Sequence, residues 1–314
     1  MIAKESKDIL LAIPGVVGVG HGFKEKAGAN TRQEAIVVLV KKKLPAAQLP
    51  EAHLIPANVD DLPTDVIEIG EFTAYRPQSM SVAVAEIGHE YSPEIERTAR
   101  VRPAMPGLSI GHYAVTAGTL GAIVYDRKTA QPLILSNNHI LANSSSGRDG
   151  RARIGDPILQ PGPADGGFAS NNVIAKLSKY VTLDQYPLPN TMDCALAKPL
   201  KNNLISPEIL DIGQVKGSTD PVLGLNVKKS GRTTRVTTGQ IRAIDVTADI
   251  NYGAGRVLRF DDQILTTKMS EGGDSGSLVL DANNLAVGLL FAGSAEGTLV
   301  NPIKPILDLL KVRF

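Results

Sequence analysis

The sequence predicts a mostly β fold with a small N-terminal α+β module and a C-terminal helix, and three patterns carry that expectation. From about residue 105 onward, short apolar runs are separated by Gly, Asn and Asp at close intervals, as in an all-β barrel or sandwich. Within the first 78 residues a helical pattern is followed by β-type runs. After Asn301-Pro302, the residues Ile303, Ile306, Leu307, Leu310 and Phe314 form an apolar stripe at helical spacing, with Asn301 as a cap and Pro302 at the first helical position. The 314-residue length fits about two domains, and a unit of roughly 200 residues can bury a sizeable core without covalent staples.

Taken in order, the chain opens on a short helix carrying Ile9, Leu10 and Ile13, with Ser6 as its cap and Pro14-Gly15 as its end. The run Val16-Val17-Gly18-Val19-Gly20-His21-Gly22-Phe23 invites a dinucleotide-binding reading. That reading fails on spacing, because the third glycine of G-x-G-x-x-G would fall on Phe23, and a Gly-interrupted strand is expected instead. Further strands are expected at 35–40 and 65–69, and the Lys41-Lys42-Lys43 triplet is read as a solvated strand end. Residues 79–104 lose periodicity and read as a linker. His89 and His112, in or near it, lie outside any metal-ligand spacing, so no metal site is expected.

In the region 105–314 a hairpin around Asp126-Arg127-Lys128 places His139 just past a strand end, and Asp193 begins another short apolar strand. A second group of strands starts near Asn226 and continues near 236–246, 256–267, 277–280 and 285–292, with Gly231-Arg232-Thr233-Thr234 as a turn between strands rather than a phosphate loop.

Composition limits what the chain can do. A net charge of +1 gives no bulk field for nucleic acid or anionic membranes, and no apolar run approaches the roughly 18 residues that span a bilayer. Protein or peptide partners are favoured. With one cysteine, Cys194, no internal disulfide can form, and charged residues interrupt any signal-type run at the N-terminus, so a cytoplasmic protein is expected.

The chemistry centres on Glu271-Gly272-Gly273-Asp274-Ser275-Gly276-Ser277, where small residues let the backbone turn tightly around a hydroxyl. A serine nucleophile needs a base and a group that orients the base. His139, in Ser136-Asn137-Asn138-His139, and Asp193, in Asp193-Cys194-Ala195-Leu196, precede Ser275 in the order His, Asp, Ser. That order, and the lack of any histidine after Ser275, excludes the α/β-hydrolase arrangement. Singly, each residue has an ordinary explanation: a turn serine, a capping aspartate, an exposed histidine. The order and the surrounding pattern join them.

On these three motifs the chain resembles the chymotrypsin-like (trypsin-like) serine peptidases over residues of about 105 to 314. More narrowly, with its Gly-rich N-terminal strand and Lys229-Ser230-Gly231-Arg232-Thr233-Thr234, it is similar to the Narrow-leaf type of trypsin-like proteins of plants and bacteria. The resemblance implies a double β-barrel with the triad His139, Asp193 and Ser275 in the cleft between barrels. It implies an oxyanion hole from the amides of Gly273 and Ser275, and a serine endopeptidase that needs no cofactor. It further implies that Phe291, Ala292 and Gly293 bind an extended peptide by strand pairing, beside a pocket with Gly293 and Gly297 at its wall and Met269 at its base. An apolar base disfavours Arg and Lys before the cut bond and favours Leu, Met or Phe, unless Glu296 turns inward.

Cys194, adjacent to Asp193 on a strand, is expected to point into a barrel as an inert thiol. The acid equivalent to Asp274 pairs with a newly cut N-terminus in secreted members of the family the chain resembles, but no Ile-Val-Gly-Gly-like start exists here, so another local partner is expected for Asp274. A different class of function stays open at this stage: a protease-fold scaffold or binding module with a silent or partner-activated site, assembling as a homo-oligomer through its N-terminal strands.

Overall fold

The structure, a computed structural model, describes residues 2–26, 29–74, 95–184 and 189–314. The expected fold class holds: the chain is mostly β, in two sheets of ten and eight strands. His89 and the greater part of the 79–104 linker lie outside the described residues.

The eight-stranded sheet comes from residues 109–199 and the C-terminal strand Val312–Arg313, which returns to pair with Asp126 and Tyr125. Its hairpin Ala122–Asp126 and Pro132–Ser136 turns where expected, because the Asp126 carboxylate accepts the amides of Lys128 and Thr129. A single helical turn, Asn138–Leu141, follows directly and carries His139.

In the ten-stranded sheet, Asn226–Gly231, Leu278–Asp281, Ala286–Gly293, Gly297–Pro302, Val257–Thr267 and Arg235–Asn251 follow one another, and the first also pairs with the last. These strands therefore close into a barrel. Arg235–Asn251 runs 17 residues with three register shifts, so one strand bends enough to serve the barrel and to carry further strands beyond it. Val16–Lys26 pairs with it antiparallel, Ala29–Val40 follows, and Leu62–Glu68 adds parallel to Ala29–Val40.

The glycines of Val16–Lys26 have a packing cause. A Cβ on Gly20 would stand 2.6 Å from Val246 Cγ2 and one on Gly22 2.6 Å from the Arg242 carbonyl, so the two strands meet this closely only without side chains. Val17, Val37, Leu39, Ile69 and Phe72 are buried in the same cluster as Ala243, Val246, Phe260, Leu265 and Phe291 of the barrel. The N-terminal strands and the second barrel share one core.

Two expected helix caps are not caps. The first helix, Lys4–Leu11, starts after Ala3, and the Ser6 hydroxyl instead donates to Asp60 Oδ1 at 2.8 Å. The last helix, Ile303–Leu310, starts after Pro302, while Asn301 remains in the strand Gly297–Pro302 with its side chain fully buried. Strand pairing of Asn301 with Leu289 overrides the local Asn-Pro signal. Ile303, Ile306, Leu307 and Leu310 pack this helix onto Val124, Leu280 and Leu289, which ties the first sheet to the second.

Candidate active site

His139 and Asp193 are brought together at the junction of the two sheets. His139 Nδ1 lies 2.5 Å from Asp193 Oδ2, and the His139 amide donates to Asp193 Oδ1 at 3.1 Å. Both residues are buried, Asp193 completely. A buried carboxylate needs its lone pairs filled, and a third donor comes from the Tyr252 hydroxyl at 2.6 Å from Oδ2. Burial and the Asp193 charge push the Tyr252 hydroxyl well above the ordinary phenol range, so it stays protonated and donates. Its ring stands edge-on to His139 at 6.0 Å.

The backbone of Asp193 is held as firmly as its side chain. Its amide donates to Asn301 Oδ1 at 3.0 Å, and its carbonyl accepts from Asn137 Nδ2 at 2.7 Å. Tyr252, Asn137 and Asn301 thus position the pair, and none was assigned that role from the sequence. Cys194 is buried in the cluster with Leu135, Leu196 and Leu278, and burial, with the Asp193 charge beside it, raises its thiol pKa. It is the inert thiol that strand alternation predicts.

Ser275 reaches the same junction. The Thr119 amide donates to the Ser275 carbonyl at 2.8 Å, and a Cβ on the adjoining Gly118 would lie 2.9 Å from that carbonyl and also against Ile140, the neighbour of His139. The Ser275 hydroxyl donates to the Phe291 carbonyl at 3.3 Å rather than to His139, whose buried Nε2 has no partner among the described residues. One link of the expected triad is therefore made and one is not. Serine–histidine bonds in unliganded sites are often loose and tighten on binding.

The turn before Ser275 is built around Asp274. Gly273 sits at φ +102°, and its carbonyl accepts from the Thr119 hydroxyl at 2.9 Å. The amides of Gly273 and Ser275 donate to no group among the described residues. Asp274 is fully buried and accepts the amides of Glu271, Thr233 and Thr234 and the Thr234 hydroxyl. The Lys229 ammonium, also fully buried, lies 3.4 Å from Asp274 Oδ2 and donates to the Arg235 carbonyl. Burial lowers the Lys229 pKa while the Asp274 charge opposes that shift. Asp274 thus has the local partners that the sequence leads one to expect.

The expected substrate side differs from the open pocket inferred by resemblance. Met269 is buried among Val227, Ile241, Ile264 and Val300 in the core of the barrel, the one apolar side chain between Lys268 and Ser270. The space over Gly297 is filled: a Cβ there would meet Ile69 Cδ1 at 2.8 Å and Leu265 Cδ1 at 2.9 Å. Phe291 packs against Phe260 at 4.8 Å between ring centroids, while Ala292 is buried in the same core. Glu296 is exposed, and Glu271 pairs with Lys268 at 3.0 Å. A cleft of about 340 Å³ opens beside His139, lined also by Ala74, Thr116, Ile140, Ser144 and Tyr252.

His112 is buried and locally bonded, with Nε2 3.1 Å from Asp156, and burial lowers its pKa. Among the described residues no group of three or more His, Cys, Asp or Glu could hold a metal ion, and no helix is long and apolar enough to cross a membrane.

No family model matches the chain. Three curated proteins are similar over part of it. Serine protease 1 of Streptomyces fradiae is 39% identical over 87 residues, 28% of this chain and 22% of its own length. Glutamyl endopeptidase 2 of Streptomyces griseus is 40% identical over 75 residues, 24% of this chain and 37% of its own length. Streptogrisin-D of the same organism is 40% identical over 77 residues, 24% of this chain and 18% of its own length. The matched stretch thus spans less than two thirds of each relative. Among solved structures, a glutamic-acid-specific serine protease aligns over 67% of this chain and 99% of its own at 21% identity and a TM-score of 0.49. Thermobifida fusca protease A aligns over 67% and 98% at 19% identity and a TM-score of 0.48.

The buried Lys229–Asp274 pair generates a stability prediction. Lys229→Met removes the ammonium beside a carboxylate that stays buried, which costs about 3 kcal/mol when a buried pair is broken from one side. Urea unfolding of Lys229→Met, Asp274→Asn and the double variant should show that loss shrinking in the Asp274→Asn background. Equal losses in both backgrounds would mean that the two groups are not coupled.

Proposed function

We propose that the chain is a chymotrypsin-like serine endopeptidase that hydrolyses peptide bonds through His139, Asp193 and Ser275 by way of an acyl-enzyme. The observation that carries this reading is the buried His139–Asp193 pair, 2.5 Å apart, beside a serine whose turn leaves the Gly273 and Ser275 amides unpaired among the described residues. The similarity to Streptomyces serine proteases supports the same class. We assign it, within that class, to the Narrow-leaf type on the motifs that extend into the N-terminal strands.

In this mechanism the Ser275 hydroxyl turns from the Phe291 carbonyl to His139 Nε2 and attacks the scissile carbonyl carbon as Nε2 takes its proton. The carbonyl oxygen becomes an oxyanion held by the amides of Gly273 and Ser275, each such donor being worth roughly 10²- to 10³-fold in rate. Asp193 holds the imidazole by Nδ1 and stabilises the imidazolium. Collapse expels the amine with the proton from Nε2, and water, activated by the same nitrogen, then hydrolyses the ester on Ser275.

A scaffold with a silent site is the second reading, favoured by the Ser275 hydroxyl resting on Phe291 rather than His139. A fluorophosphonate probe separates the two. The enzyme is expected to be labelled at Ser275, and Ser275→Ala to be unlabelled and slower in peptide hydrolysis by about 10⁶-fold if the triad acts as a unit. A folded wild type that stays unlabelled supports the scaffold.

Tyr252→Phe removes one hydrogen bond to a charged group, worth about 1.5–3 kcal/mol, so kcat should fall roughly ten- to a hundredfold with little change in KM. Steady-state kinetics on a fluorogenic peptide will read that split. An unaltered kcat would show that Tyr252 does not position Asp193.

The preference before the cut bond follows from the acids nearby. Glu271 is engaged by Lys268 and Glu296 is exposed, so neither offers a buried carboxylate to pair a guanidinium or ammonium before the cut bond. Cleavage after Leu, Met or Phe should therefore exceed cleavage after Arg or Lys in a peptide-library digest read by mass spectrometry. Dominant cuts after Arg or Lys would contradict this assignment.

A further inference from the structure

Gly293, the residue expected to pair with an extended substrate, is already paired. The Thr73 amide donates to the Gly293 carbonyl at 2.9 Å, and the Gly293 amide donates to the Thr73 carbonyl at 3.1 Å, an antiparallel bridge of two bonds. On its other side the same segment pairs with Asn251, whose amide donates to the Phe72 carbonyl at 2.9 Å and whose carbonyl accepts the Ala74 amide at 3.0 Å. Residues 72–74 are thus a short strand laid on the edge of Ala286–Gly293. Phe72 anchors it, fully buried in the cluster that holds Tyr252, Phe260 and Phe291.

The direction of this strand matters as much as its presence. Being antiparallel to Ala286–Gly293, it runs from Gly293 back toward Phe291, whose carbonyl holds the Ser275 hydroxyl. Ala74 accordingly lines the cleft beside His139 and Tyr252. A peptide that binds by strand addition uses the free N–H and C=O of an edge residue, and at Gly293 both are consumed.

We propose that residues 72–74 are a cis-acting occupant of the peptide-binding edge, so that the N-terminal strands hold the site closed to extended substrates until this segment leaves Gly293. The inference rests on the serine endopeptidase reading. An incoming peptide must displace two backbone hydrogen bonds to Gly293 before it can make its own, whereas a small acylating agent reaches Ser275 without using that edge.

Thr73→Pro tests the inference, because proline lacks the N–H that bonds to the Gly293 carbonyl. The turnover of a fluorogenic peptide with four residues before the cut bond should rise in kcat/KM by roughly three- to tenfold, the value of one backbone hydrogen bond. A second measurement uses the wild type alone. Hydrogen exchange at the Thr73 and Ala74 amides should speed up once a tetrapeptidyl phosphonate has reacted at Ser275, and should not after reaction with a small fluorophosphonate. Labelled proteins in which both readouts stay unchanged would overturn the occlusion and leave the peptidase reading intact. Failure of the fluorophosphonate to label Ser275 at all would overturn both.

Discussion

The buried charge of Asp193 is the constraint on which the rest of the arrangement depends. A carboxylate removed from water is tolerated only when its lone pairs are filled by well-placed donors. Here the donors come from both halves of the molecule: the ring and amide of His139 from the first sheet, and the Tyr252 hydroxyl from the end of the second barrel. Asn301, also in the second barrel, takes the Asp193 amide. Satisfying one charge therefore fixes the relative placement of the two sheets and leaves a cleft between them with His139 on its wall. Loss of any one donor would be felt as a shift of the imidazole as well as a loss of stability.

Asp274 poses the same problem within the serine turn and is solved differently. Its carboxylate collects three amides and a hydroxyl from Glu271, Thr233 and Thr234, with the Lys229 ammonium behind them. Those contacts tie the turn to the strand Asn226–Gly231 and the residues that follow it, which sets the Gly273 backbone at positive φ. Glycine suits that positive φ, and a Cβ there would also press on the Thr233 hydroxyl, which is itself held by the Gly272 carbonyl. All of the Asp274 partners are supplied from inside the chain.

The sequence singles out His139, Asp193 and Ser275, and the structure makes the His139–Asp193 contact; the residues that hold that pair carry no sequence signal. Strands interrupted by Gly, Asn and Asp, the order of His139, Asp193 and Ser275, and the buried character of Cys194 follow from local pattern and residue type. Tyr252 and Asn301 lie 59 and 108 residues from the aspartate they support, and no spacing signals such a contact. Asn-Pro before an apolar stripe is a strong local signal for a helix cap at Asn301. Pairing with Leu289 outweighs it and turns the amide inward. Met269 shows the limit of inference by position: placed six residues before Ser275, it takes the side of the turn that faces the barrel core.

An edge that accepts a peptide strand is also an edge that accepts any strand, and exposed edges are a recognised liability in β proteins. The strand Ala286–Gly293 is buried along its length and offers Gly293, without a side chain to interfere, at its end. Covering that end with residues 72–74 satisfies both backbone groups of Gly293 and buries Phe72 at the same time. The N-terminal strands reach this position because they extend the second barrel by pairing with Arg235–Asn251, whose last residue, Asn251, flanks the segment on its other side. The same 17-residue strand thus carries the module, delivers Tyr252 to Asp193 just beyond its end, and places residues 72–74 on the Gly293 edge. A change that bends or shortens it would act on the core, the buried charge and the Gly293 edge together.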